Sequence, residues 1–151
     1  MVLQETWMVK HPELYNIVGY QGPILKTRQN NNGGGVGFYI RNGIKYKDIS
    51  TKNSFREKIF ESATLEIQFG KTPIIISSMY RPPITLPNQT SSEQFDIFNN
   101  CLADLLTLCN TQNKKTYIFS DSNLNLHRLN NDAKTNEYLN TVESQLKTPG
   151  L

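Results

Sequence analysis

The stretch YIFSDSNLNL, Tyr117 to Leu126, runs from apolar and aromatic residues into a polar burst holding Asp121 and Asn123. An acid and an amide two residues apart at a strand end admit two readings. Both residue types turn well, so they suit a plain turn. They also suit an active-site corner, because functional groups of open α/β sheets gather outside the strand ends. There a carboxylate and an amide can position a water and hydrogen-bond a phosphate oxygen. SMYRPP ends another predicted strand with Tyr80, a phosphate hydrogen-bond donor, beside Arg81, the best single candidate for a nucleic-acid phosphate contact. QETW near the start offers Glu5, a hard oxygen ligand suited to Mg²⁺. An acid, a tyrosine and an Asp-x-Asn at separate strand ends point to metal-assisted phosphodiester chemistry.

These groups need a frame, and the sequence predicts one. Val36 to Ile40 reads as a strand, Asn42-Gly43 as a tight hairpin turn, and Ile44 to Ile49 as the returning partner. ATLEIQF alternates, with Leu65, Ile67 and Phe69 on one face, as a half-buried strand does. PIIISSMY is denser in apolar groups and suggests a strand buried on both faces. RPPITLPNQTSS is too rich in proline for helix or central strand, and it ends in a predicted capping box of Ser91 and Gln94. A helix over Glu93 to Cys109 follows, with Phe95, Phe98, Leu102, Leu105, Leu106 and Cys109 at helical spacing. TYIFS is the next strand. A second helix carries Leu139, Val142 and Leu146 and is stopped by Pro149 and Gly150. Strand, helix, strand implies a crossover against a sheet, and the fold class is α/β.

A chain of 151 residues, 37% hydrophobic and 19% charged, fits one domain. The net charge of +3 is compatible with a phosphate-bearing partner without requiring one. No apolar run is long enough to span a membrane, and MVLQETWMVKH lacks the pattern of a signal peptide, which makes an intracellular site the expectation. Cys101 and Cys109 fall on one helix about 12 Å apart, too far for a disulfide. GGGVG precedes a strand rather than a helix, which argues against a dinucleotide loop. The basic residues Lys26, Arg28, Arg41, Lys45, Lys47, Lys52, Arg56 and Lys58 concentrate in the first half and suit either a DNA backbone or a solvated face. His11 reads as an exposed loop residue, His127 as a residue on the approach to a helix, and Trp7 as a core residue.

QETW, GGGVGFYIRNGI, MYRPP and YIFSDSNLNL occur in the order, and at about the spacing, of the endonuclease/exonuclease/phosphatase superfamily. The chain most resembles the apurinic-endonuclease-like domain of non-LTR (LINE-type) retrotransposons. The resemblance implies a four-layered α/β sandwich, two mixed sheets flanked by helices, here incomplete and truncated at both ends. It implies that Glu5 binds metal, Tyr80 contacts phosphate, Asp121 orients the attacking water or helps the leaving group, and Asn123 holds the phosphate. It further implies Mg²⁺, with Mn²⁺ as a substitute, DNA as partner, a parent polypeptide with a reverse transcriptase, and a nuclear location. Ser120 and Ser122 depart from the family's Gly and Phe, and the family's later Asp and Ser-Asp-His block has no counterpart before Leu151. A non-catalytic nucleic-acid-binding remnant and a phospholipid or inositol phosphate phosphatase are the alternatives. A sandwich lacking edge strands is expected to associate with itself.

Overall fold

The computed structural model describes residues 1–7, 11–29, 33–128 and 132–146. Its centre is a long hairpin. Phe60–Phe69 (β6) pairs along its whole length with Thr72–Tyr80 (β7), from Glu61 opposite Tyr80 to Phe69 opposite Thr72. Beyond β7 lies Thr116–Asp121 (β8), parallel to it, so that Tyr80 stands opposite Asp121. Tyr46–Asp48 (β4) and Phe55–Arg56 (β5) line the other edge of β6. A second, smaller sheet places Val36–Arg41 (β3) between Val2–Gln4 (β1) and Tyr20–Lys26 (β2), all antiparallel.

Strand alternation sends side chains of the large sheet to two cores. Leu65, Ile67 and Tyr80 meet Val36, Phe38 and Ile40 of the small sheet. Ile75 and Met79 meet the helix Ser91–Thr111 (α1) through Phe95, Phe98, Leu102 and Leu105. A second helix, Ala133–Leu146 (α2), packs on α1 through Tyr138 and Val142. The α/β class predicted from the sequence is thus present, as is the β7–α1–β8 crossover. Among the described residues there are three layers, sheet on sheet on helices, with no α-helix over the small sheet. Only the large sheet is mixed. No helix among the described residues is long and apolar enough to cross a membrane.

Four sequence expectations need correction. The Asn42-Gly43 turn forms, but its returning strand does not pair with β3. Both edges of β3 are taken by β1 and β2, and Ile44 enters the core between the sheets, which carries β4 across to β6. ATLEIQF is half-buried as predicted at Glu66 and Gln68, but Thr64 on the same face is fully buried against Ser77. The capping box is Thr90 with Glu93, one residue earlier than predicted. Gln94 instead turns inward, donating to the carbonyls of Ile84 and Lys58 and accepting from the Leu86 N–H, so it fixes the proline-rich connection. Finally, Trp7 is exposed, its ring lying against Gly33.

Cys101 and Cys109 are free and buried on α1, as spacing predicted. Burial pushes both thiols up, Cys109 to about 11. A thiolate-directed reagent at neutral pH is therefore expected to leave the native protein unlabelled and to label both cysteines in urea. Rapid labelling without denaturant would contradict this packing.

Candidate active site

The ends of three neighbouring strands form one row on the face towards the small sheet. Glu61 is the second residue of β6, Tyr80 closes β7 opposite it, and Asp121 closes β8 opposite Tyr80. The small sheet supplies the fourth member. Ser78 donates to the Leu3 carbonyl at 2.8 Å, which seats β1 on β7. The chain leaves β1 at Glu5, whose φ of 52° turns the carboxylate back towards the row. Tyr80 Oη then donates to Glu5 Oε1 at 3.2 Å, joining residues 75 positions apart. Non-glycine residues held in the left-handed region cost about 1–3 kcal/mol each and cluster at functional sites. Glu5 and Asn123, with φ of 49°, both lie there.

Tyr80 is buried while Glu5 is exposed and Asp121 is half-buried, so the row opens to solvent. Burial first, then the Glu5 charge and hydrogen bond, and more weakly the Asp121 charge, push the Tyr80 hydroxyl up to about 12. The phenol stays protonated in neutral solution and remains a donor. Glu5, Tyr80 and Asp121, three of the predicted site residues, are therefore brought together.

The other two act differently. Arg81 follows Tyr80 on the strand, so it points to the opposite face. Its guanidinium lies 5.5 Å from the Phe95 ring centroid and 5.3 Å from that of Phe98, and Nη1 donates to the carbonyls of Ser122 and Asn123. Arg81 is not the open phosphate contact that the sequence suggested; it anchors the loop after β8. Asn123 Nδ2 donates to the Arg81 carbonyl at 2.8 Å, and the Arg81 N–H donates to the Asp121 carbonyl. These bonds give Asn123 a loop-closing role in this structure, in place of a free phosphate-holding amide. Asn123 thus takes part in the turn after β8, and Asp121 faces the row.

Sequence reasoning missed a buried ion pair beside the row. Arg28 Nε donates to Glu61 Oε1 at 2.5 Å, and both side chains are almost wholly buried. Glu61 also accepts from the N–H groups of Gly35 at 2.7 Å and Lys58 at 2.9 Å. Gly34 has φ of 66°, and a Cβ there would overlap the Arg28 guanidinium. Gly34 and Gly35 thus form a close-approach segment against the Arg28–Glu61 pair.

Several of the basic residues are engaged or distant from this row. Lys26 pairs with Asp48 and Arg28 with Glu61, while Arg41 ends β3 opposite Tyr20 and Lys47 lies mid-β4 opposite Glu66. His11 is an exposed residue bonded to Glu13, and His127 is exposed. Ser120, at the position of the family's glycine, lines a cleft of about 320 Å³ between β8, α1 and α2, and is not crowded. Ser122, at the phenylalanine position, is half-buried.

Among the described residues no three His, Cys, Asp or Glu side chains cluster as a metal cage. Mg²⁺ does not need one, because it commonly takes one or two carboxylates and keeps several waters. Glu5 and Asp121, two carboxylates flanking the Tyr80 hydroxyl, offer suitable donor chemistry. Comparison with protein-family models, curated proteins and solved structures finds no match to this chain.

Proposed function

We propose that the chain is a metal-dependent phosphodiesterase of the endonuclease/exonuclease/phosphatase kind, a DNA endonuclease nicking target DNA for retrotransposon integration. The observation that carries this reading is the convergence of Glu5, Tyr80 and Asp121 at the ends of strands from two sheets. Glu5, with Asp121 as second carboxylate, would hold Mg²⁺. Such an ion stabilises charge on the phosphate. Asp121 orients the attacking water, and Tyr80 donates to a phosphate oxygen. Asn123 and Arg81 hold the loop that follows Asp121.

One observation favours a second reading, a nucleic-acid-binding remnant without chemistry. Arg81 and Asn123 bond to their own backbone, and neither histidine is bonded to the row. Supercoiled plasmid separates the two. Nicking that requires Mg²⁺, stops with EDTA and is lost in Asp121→Ala supports the enzyme. A salt-sensitive gel shift with no nicking above Asp121→Ala supports the remnant.

A further inference from the structure

The sheet edges differ in how they are guarded. β1 and β4 are each 3 residues long, and β2 is interrupted by Gly22-Pro23. Short edges and proline are the usual protections against strand pairing. β8 has neither. It runs for 6 residues, TYIFSD, with nothing paired beyond it among the described residues, and it exposes Tyr117 at 41% and Phe119 at 47%.

We propose that β8 pairs with β8 of a second copy of this chain, antiparallel and centred on Ile118. The backbone direction is right. The carbonyls of Lys115 and Asp121 bond towards β7, so the odd-numbered residues use their groups there. Thr116, Ile118 and Ser120 then direct N–H and C=O outwards. Centred on Ile118, the outward groups meet each other: Ile118 opposite its copy and Thr116 opposite Ser120. The alternate positions are the non-hydrogen-bonded pairs, where side chains come closest. They set Tyr117 against Phe119 and Lys115 against Asp121, each twice by symmetry.

This register is self-complementary in both charge and shape. Sliding by two residues in one direction loses the charge pairs and faces Tyr117 with Asp121. Sliding in the other faces Lys115 with Phe119. Aromatic and opposite-charge cross-strand pairs are the stabilising kinds, and like charges placed opposite each other are destabilising. Lys115 is exposed, with its ammonium 5.3 Å from the centroid of the equally exposed Tyr117 ring. The pairing does not depend on the nuclease reading.

Charge reversal tests the partner and the register together. Lys115→Glu alone would set Glu against Asp twice, and Asp121→Lys alone would set Lys against Lys twice. Mixed, the two variants would match every pair. Sedimentation equilibrium on the full chain is expected to give a dimer for the natural sequence. Each variant alone should dissociate at least about tenfold more readily, and the mixture should recover a heterodimer. Phe119→Ser should weaken the dimer independently of charge. A natural chain that stays monomeric at the highest soluble concentration would overturn the proposal. So would a dimer indifferent to both Lys115→Glu and Phe119→Ser, with folding checked by circular dichroism. Folded variants that fail to recover on mixing would overturn the register.

Discussion

Glu61→Ala is expected to cost about 3–5 kcal/mol of folding stability, the range for breaking a buried ion pair from one side. The carboxylate receives Arg28 Nε and the N–H groups of Gly35 and Lys58, so its loss leaves three donors unsatisfied in the interior. Arg28→Ala should cost less. It leaves a carboxylate that keeps two backbone donors, whereas Glu61→Ala strands the guanidinium together with two backbone N–H groups. Replacing both partners by apolar residues of similar size should recover much of the loss, because the desolvation of two charges disappears with them. Urea unfolding of the three variants measures the ordering. A cost below about 1 kcal/mol for Glu61→Ala would mean that the pair is dispensable. The variant is also expected to disturb the row, since Glu61 stands directly opposite Tyr80.

Phe98→Ala should be comparably severe, at about 3–5 kcal/mol. Phe98 is fully buried at the meeting point of several elements. Its ring lies 5.7 Å from those of Phe60 and Phe95 and stacks on Tyr138 at 6.2 Å, joining β6, α1 and α2. The same ring carries the Arg81 guanidinium, which holds the carbonyls of Ser122 and Asn123. Removing it opens a cavity and also frees the anchor of the loop behind Asp121. Phe98→Leu keeps much of the volume and should lose less. If urea unfolding gave Phe98→Ala and Phe98→Leu the same small cost, the ring would not be the keystone of this core.

The parts of the fold that were legible in the sequence are those whose periodicity is set by burial. β6, β7 and α1 carry apolar residues at strand or helix spacing because each faces a core. β1 and β2 were not legible. Three residues are too few to show alternation, and Gly22-Pro23 inside β2 reads as a breaker. The Asn42-Gly43 turn announced a reversal correctly, but a turn says nothing about which edge is vacant. Glu5, Tyr80 and Asp121 stood out because acids and tyrosines at strand ends are unusual company. Glu61 did not, since an acid within a strand looks solvated until a second sheet is laid over it. Arg81 was misassigned although alternation held the answer: the neighbour of an inward Tyr80 must face the helix.

Trp7 is the chain's single tryptophan. Its backbone N–H donates to the Gly34 carbonyl, and a side chain at Gly33 would meet its ring at 3.1 Å. The indole thus sits two residues from Glu5, on the segment that must dock before the carboxylate can reach Tyr80. Its fluorescence is consequently a built-in optical gauge of that docking, read apart from the far-ultraviolet signal of the sheets and helices. Whether Mg²⁺ or DNA binds as proposed can be tested through it in the unmodified protein, without an attached dye.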